Sequence, residues 1–377
     1  MKVTILGTGS IALASAALLG GKHHVTLWSP SGDGIAGLDA GRLEATGAGV
    51  GAGLGATLGA GTDTLSTSVA VHTAPGLADA LKGAQVVIVA VPAYGHAAVL
   101  RACAAHLVTG QAVFLMPMLS LGGLLLAQRL AQRGVACLIV GFGTTVMTAR
   151  KTGPAAVRLL ARRDRLELAA LPPSDTPRAL ALARSLFGDR FAAQSDLLAI
   201  SLSQTNPVAH VPLALANLSR MEKGEAWTQY DHMTGATARM TVALDRERLA
   251  VASAFGLKVR SIEAHFHYSF GAPLMDFSSQ CLWVHANLGS PAGPVSLDTR
   301  YITEDVPFGL VFYARIGRMA GVATPVADSC IALANAAYGR RFDQDNDLLA
   351  AIEPESIGID ALRKTLAGSP GAISSKS

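Results

Sequence analysis

Charge is scarce in this chain. Asp, Glu, Lys and Arg supply 15% of its 377 residues, against roughly 25% in an ordinary soluble protein. So little charge leaves two readings open: a surface partly hidden in a subunit interface, such as a homodimer, or a monomer that is simply rich in Ala and Gly. A dense basic run is missing as well. The net charge is +4, and Arg162, Arg163 and Arg165 form only a short local cluster. A nucleic-acid partner is therefore not expected, because phosphate binding calls for a clustered basic face. No stretch of about 18 uninterrupted apolar residues occurs, so no membrane partner is expected. Cysteine is sparse: Cys103, Cys137, Cys281 and Cys330 lie far apart, with no CxxC or Cys/His spacing for a zinc site. They read as buried thiols of a reducing compartment. The chain opens with a strand-like Met1–Leu6 rather than a signal segment, and the expected address is the cytoplasm.

What is plentiful is apolar side chain, half of all residues. At this length one core is not enough, and about two domains are expected. Short apolar runs at Lys2–Leu6, His24–Trp28, Gln85–Val91, Ala112–Met116 and Ala136–Val140 alternate with helical stretches. Runs without polar alternation are strands buried on both faces of a parallel sheet. The class this predicts is α/β, a doubly wound Rossmann sheet followed by a mainly helical C-terminal domain. A further strand pair is expected at Ala156–Leu160 and Leu166–Leu171, and a break at Pro172–Pro177. The domains are thus placed at 1–176 and 177–367, with 368–377 as a disordered tail. The Gly-rich stretch between Gly32 and Gly61 reads as a long loop with broken helix, either near a ligand or simply on the surface.

Gly7-Thr8-Gly9-Ser10-Ile11-Ala12 is a GxGxxA turn between a strand and a helix. Its first Gly permits the tight turn, Gly9 admits a pyrophosphate, and Ala12 lets the helix approach the sheet. The phosphates would sit on free N–H groups of that helix start. A bare glycine motif is weak, but the strand–turn–helix–strand setting is specific. The second strand ends in Trp28-Ser29-Pro30-Ser31 with no carboxylate. Ser29 and Ser31 would tolerate a 2′-phosphate, so NADP is preferred over NAD, although no arginine stands beside them and Asp33 offers an NAD-type contact. Val91 and Pro92, at the end of a buried strand, are expected to form a second wall of the cofactor site. Their bland alternative is helix-start chemistry. His96 reads as structural or cofactor-lining.

Two segments of the second half concentrate polar groups. Ser203–Asn217 places His210 among apolar residues, framed by Asn206, Pro207, Pro212 and Asn217; Asp298–Val311 crowds Arg300, Glu304 and Asp305 against a Pro/Gly-punctuated apolar stretch. Taken alone, each has a structural explanation, a satisfied core histidine and a capped helix start. Together they resemble the opine dehydrogenase family, the octopine/nopaline type. The family's N-x-x-x-H motif matches Asn206 and His210, and its R-Y-[LI]-T-E-D-V-P-x-G-L-V motif matches Arg300–Val311. Tyr230 and Asp245-Arg246-Glu247-Arg248 resemble the family's following helix, and the similarity runs from the Gly7 turn to about Pro325.

The resemblance implies NAD(P)H-dependent reductive condensation of an α-amino acid with a 2-oxo acid, pyruvate or 2-oxoglutarate. The product is an N-(carboxyalkyl) amino acid, made through an imine. It implies His210 and Asp305 as the catalytic pair and Arg300 and Asn206 as substrate contacts. Two departures stand out. Where relatives often carry Gly-Glu-Thr, this chain has Gly141-Phe142-Gly143-Thr144-Thr145, so a neutral or apolar amino acid is expected. Val211 follows His210 where a proline is common, and Pro212 comes one later. Two other readings remain. A ketopantoate-reductase or glycerol-3-phosphate-dehydrogenase type would use a lysine, yet only Lys223 and Lys258 lie between residues 152 and 363, neither in an Asn/Pro-framed motif. A non-catalytic NADP sensor would not need His210, Arg300 and Asp305 together.

Overall fold

The computed structural model describes residues 1–32, 34–38, 41–47, 65–163 and 165–368. Its contacts divide the chain into Met1–Ile200 with Ala361 onward, and Ser201–Asp360. The first unit runs β1 (Lys2–Leu6), α1 (Ser10–Leu19), β2 (His24–Trp28), β3 (Arg42–Gly47), β4 (Leu65–Ala70), β5 (His72–Thr73), α2 (Leu77–Leu81), β6 (Val86–Val89), α3 (Ala93–His106), β7 (Ala112–Leu115) and α4 (Gly122–Gln132). It continues with β8 (Leu138–Phe142), β9 (Met147–Gly153), β10 (Ala156–Arg162), β11 (Leu166–Leu171), α5 (Thr176–Phe187), β12 (Phe191–Ala193) and α6 (Leu197–Leu202), which crosses the dividing point.

The main sheet has the order β12-β11-β8-β7-β6-β1-β2-β5. All its pairs are parallel except β11 with β8. Every residue of β6, β7 and β8 is buried, as their unbroken apolar sequence requires. β1 lies between β2 and β6, where the winding direction reverses; ligands of such sheets bind beyond the strand ends at that point.

A second sheet, β4-β3-β10-β9, was not expected. The two strands read as a pair at 156–160 and 166–171 belong to different sheets: β10 joins β9 and β3, whereas β11 joins β8 and β12. The segment read as loop and broken helix contains β3 after a short helical turn at Ala36–Leu38; Asp33 and the glycines from Gly49 to Gly61 lie outside the described residues. α1 explains why a second sheet forms. Its sequence SIALASAALL is small and apolar all round, and Ala12, Leu13, Ala14, Ser15, Ala16 and Leu19 are all buried. A helix without a polar face needs cover on both sides. α1 contacts β1 and β2 of the main sheet and β3, β9 and β10 of the smaller one.

The division falls later than the break at Pro172–Pro177. Ala179, Ala183, Leu186 and Phe187 of α5 are buried in the same core as β1 and β11, which keeps that helix with the first unit. The expected tail lies beyond the described residues except for Gly368, which packs on Pro172.

The second unit is helical, as expected: α7 (Asn206–Ala216), α8 (Leu218–Glu222), α9 (Gly235–Ala254), α10 (Ile262–Phe270), α11 (Phe277–Leu288), α12 (Arg300–Thr303), a π-helical turn (Val306–Leu310), α13 (Val311–Met319), α14 (Pro325–Tyr338), α15 (Asp347–Ile352) and α16 (Pro354–Ile357). α17 (Ile359–Leu366) returns the chain to the first unit. Among the described residues no helix is long and apolar enough to cross a membrane. Cys103, Cys281 and Cys330 are buried and Cys137 half-buried, all as free thiols. Burial pushes the Cys103 and Cys281 thiols up to about 12.

The Asp245–Arg248 segment of α9 is a structural brace. The Arg248 side chain is fully buried; its Nη2 donates to Asp245 Oδ1 at 2.7 Å and to the Arg260 carbonyl at 2.6 Å, and Nη1 donates to the Leu202 carbonyl. Asp245 Oδ2 accepts from Ile262 N–H at 2.8 Å, which ties α10 to α9. Glu247 accepts from Val326 and Ala327 N–H and so caps α14. A buried ion that loses its partner is uncompensated. Asp245→Asn should therefore destabilise the protein by about 3–5 kcal/mol. Urea unfolding measures this, and a loss below about 1 kcal/mol would show the pair to be dispensable.

Candidate active site

The glycine turn is built as its sequence requires. Gly7 has φ +125°, and a Cβ there would stand 2.6 Å from the Ala90 carbonyl oxygen and 3.4 Å from Val91 Cγ1. Its N–H donates to the Trp28 carbonyl at 2.7 Å. Gly7 thus joins the ends of β1 and β2 and the segment after β6, and it brings Val91 to the turn. Gly9 begins α1 with no side-chain cap, and nothing lies within 4 Å of where its Cβ would be. An uncapped helix start under an open glycine is a cradle for a phosphate. Ser10 and Ile11 are half-buried in the first turn, and Ala12 is buried in the core. Ser29 Oγ and Ser31 Oγ stand 3.4 Å apart at the end of β2. Pro92 begins α3. His96 is fully buried with Nε2 3.0 Å from the Val91 carbonyl oxygen, so it buttresses Val91. These residues fit a dinucleotide.

The polar groups of the second unit converge on His210. α7 starts at Asn206 with Pro207 in its first turn, a position that needs no N–H. The helix continues through Pro212, which leaves the Val208 carbonyl without its usual donor four residues on. The partner segment, Arg300–Val311, forms α12, the π-turn and the start of α13. A π-turn widens the helix by one residue and is common at functional sites. A Cβ on Gly309 would fall 2.2 Å from Pro207 Cγ. Only glycine lets the π-turn lie so close to α7.

That approach carries His210 to Asp305. His210 Nδ1 donates to Asp305 Oδ2 at 2.8 Å, and the two side chains are 21% and 15% exposed. Burial pushes the Asp305 carboxyl above the usual carboxylate range, while its hydrogen bond and charge contact with His210 pull it back. With Nδ1 committed to the carboxylate, Nε2 is the ring atom available for proton transfer. Tyr301 lies flat on the imidazole, 3.7 Å between centroids and 1° between planes. Burial raises the Tyr301 phenol to about 12, so it stays neutral, and its hydroxyl is hydrogen-bonded with the Gln229 side chain. Asn206 is exposed four residues before His210, on the same helix face. Arg300 opens α12, is 69% exposed, and pairs through Nε with the nearly buried Glu304. His210 and Asp305 are therefore together, with Arg300 at the other end of the short segment bearing Asp305. Tyr301 and Gln229 were not singled out by sequence; the tyrosine's place in the Arg300 motif was the available signal.

A glycine-turn nucleotide fold and a separate helical unit with a His–Asp dyad define an NAD(P)-dependent oxidoreductase. Residues 193–338 match the family model of the NAD/NADP octopine/nopaline dehydrogenase α-helical domain. The opine dehydrogenase of Arthrobacter sp. (strain 1C) is 29% identical over 98% of this chain and 97% of its own. An octopine dehydrogenase structure with NADH and L-arginine superposes with a TM-score of 0.78 at 20% identity, covering 98% of each chain. A yersinopine dehydrogenase structure with NADP+ gives 0.70 at 18% identity, over 94% of this chain and 98% of that one. Over residues 193–338 the chain resembles the octopine/nopaline dehydrogenases, and along almost its whole length it is similar to an opine dehydrogenase.

Gly309→Ala tests the contact that sets the dyad. Displacing the π-turn by about 1 Å should cost about 100-fold in kcat, with NAD(P)H affinity retained. Adding Pro207→Gly removes both clashing atoms, Cγ and Cβ, and should restore part of the rate. Steady-state kinetics and cofactor titration decide it; full activity in Gly309→Ala would show that the dyad tolerates looser packing.

Proposed function

We propose that this enzyme joins a neutral α-amino acid to a 2-oxo acid, pyruvate or 2-oxoglutarate, and reduces the imine to an N-(carboxyalkyl) amino acid. The amine nitrogen bonds to the 2-carbon, the carbonyl oxygen leaves as water, and the C=N bond is reduced. The reduced nicotinamide, when bound, supplies the hydride. The single observation that carries the reading is the His210–Asp305 hydrogen bond inside the family motif.

Each residue then has a task. Gly7, Gly9, Ser10, Ile11 and Ala12 hold the dinucleotide phosphates on the α1 N-terminus, Ser29 and Ser31 face its ribose, and Val91 with Pro92 forms a wall. His210 moves a proton at Nε2, to the departing carbonyl oxygen and from the amine. Asp305 fixes the ring's tautomer and stabilises its cation. Arg300 holds the oxo-acid carboxylate with its planar fork, exchanging its Glu304 contact for the substrate. Asn206 hydrogen-bonds substrate from the His210 face. A neutral amino acid fits because Gly141 and Phe142, at the end of β8, are buried and bring no acid. The low charge content suits a homodimer, and the free thiols suit the cytoplasm. Lys223 and Lys258 are exposed near helix ends, which does not favour a lysine-dependent reductase.

The test is oxidation of NADPH and NADH with each 2-oxo acid crossed against the amino acids. Turnover should require both substrates; oxidation by the oxo acid alone would establish a 2-oxo acid reductase instead. His210→Asn should keep cofactor binding and lose about 100-fold or more in kcat. If it binds cofactor and turns over normally, the dyad is not the acid/base group.

A further inference from the structure

The sequence places no cation beside Ser29 and Ser31, and hydroxyls alone make a weak site for a doubly charged phosphate. The fold brings a cation from elsewhere. Lys151, in β9 of the smaller sheet, donates from Nζ to the Thr8 carbonyl at 3.3 Å, and its backbone N–H donates to Ser10 Oγ at 3.0 Å. The lysine therefore lies over the second and fourth residues of the GxGxxA turn, across 143 and 141 positions of sequence.

The side of the turn it occupies matters. A Cβ on Gly34 would fall 1.8 Å from Thr8 Oγ1, so Thr8 faces the segment that follows β2. A Cβ on Gly37 would fall 2.1 Å from Pro154 Cβ, in the turn between β9 and β10. The β9–β10 hairpin is thus clamped onto the segment after β2, with Thr8 beside it. In folds of this kind the end of β2 is where the adenosine ribose is read. Lys151 is exposed, and among the described residues its side chain meets a carbonyl and no carboxylate. A neutral carbonyl is readily exchanged for an anion.

We infer that Lys151 binds the 2′-phosphate of NADP, with the Ser29 and Ser31 hydroxyls as hydrogen-bond donors to the same group. The inference rests on the cofactor reading above and makes it specific: preference for NADPH comes from the smaller sheet. Substituting the side chain leaves the backbone bond to Ser10 in place, and so leaves the turn in place. Arg150, the neighbouring exposed residue of β9, points to the opposite face by strand alternation and serves as the control for a diffuse field.

The experiment is equilibrium binding of NADPH and NADH to the full chain, by nicotinamide fluorescence, with 2′-phospho-AMP and 5′-AMP as competing fragments. The wild type should bind NADPH more tightly, and the preference should shrink with added salt. Lys151→Ala should weaken NADPH and 2′-phospho-AMP by about tenfold or more, as loss of a charge-assisted hydrogen bond does. NADH and 5′-AMP should be unchanged within about twofold. Lys151→Arg should keep the preference, and Arg150→Ala should not alter it. Equal weakening of NADPH and NADH would place the lysine on the pyrophosphate and overturn the inference. So would an equal effect of Arg150→Ala, or no effect of Lys151→Ala. If the wild type binds neither dinucleotide, the cofactor reading itself fails, which is a different result.

Discussion

The contact between His210 and Asp305 depends on how closely a π-helical turn can lie against α7. Ninety-five positions of sequence separate His210 from Asp305, and no local preference brings them together. The contact of Gly309 with Pro207 does. Around it the restraints are redundant: Asn346 Nδ2 donates to the Pro307 carbonyl at 2.9 Å, and the buried Tyr313 hydroxyl donates to the Gln204 carbonyl at 2.6 Å. Tyr301 closes one ring face of the imidazole. The dyad is held by packing on one side and by satisfied backbone carbonyls on the other, so its geometry does not rely on its two side chains alone.

The same economy governs charge. A chain with few ionisable residues places several of them where each has more than one function. Asp245 binds Arg248 and the α10 N-terminus together. Glu247 serves two amide groups of α14. Buried charges are costly unless paired and hydrogen-bonded, and the Asp245–Arg248 pair is both. The residues that resembled a family helix in sequence turn out to be the frame that positions α9, α10 and α14, while the motif with Arg300 supplies Asp305 to the His210 contact.

Much of this was legible in the sequence for physical reasons. Unbroken apolar runs specify buried parallel strands, and β1 and β2 have the bounds read for them. Glycine after an apolar strand specifies the phosphate turn. β10 was read as a strand, but the smaller sheet was missed because β3 and β9 carry mixed polar patterns, and β9 and β10 pair with two register shifts. The informative signal was in α1, whose lack of any polar face implies a second layer. Lys151 had no sequence signal at all, since its significance comes only from the sheet that carries it to Thr8. Tyr301 stood inside a motif that was read for its charges, and aromatic stacking leaves no spacing to recognise. The domain boundary was placed at a proline cluster; α5 follows those prolines yet packs into the earlier core.

The return of α17 to the first unit gives the protein a particular order of assembly. Leu362, Thr365 and Leu366 are buried, and they are synthesised after all of Ser201–Asp360. On the ribosome the helical unit is therefore complete before the nucleotide-binding unit has its last helix. The helical unit is, in topological terms, an insertion within the other. A chain cut just before Ala361 would keep every residue of the dyad segment and lose part of the unit that contains the glycine turn.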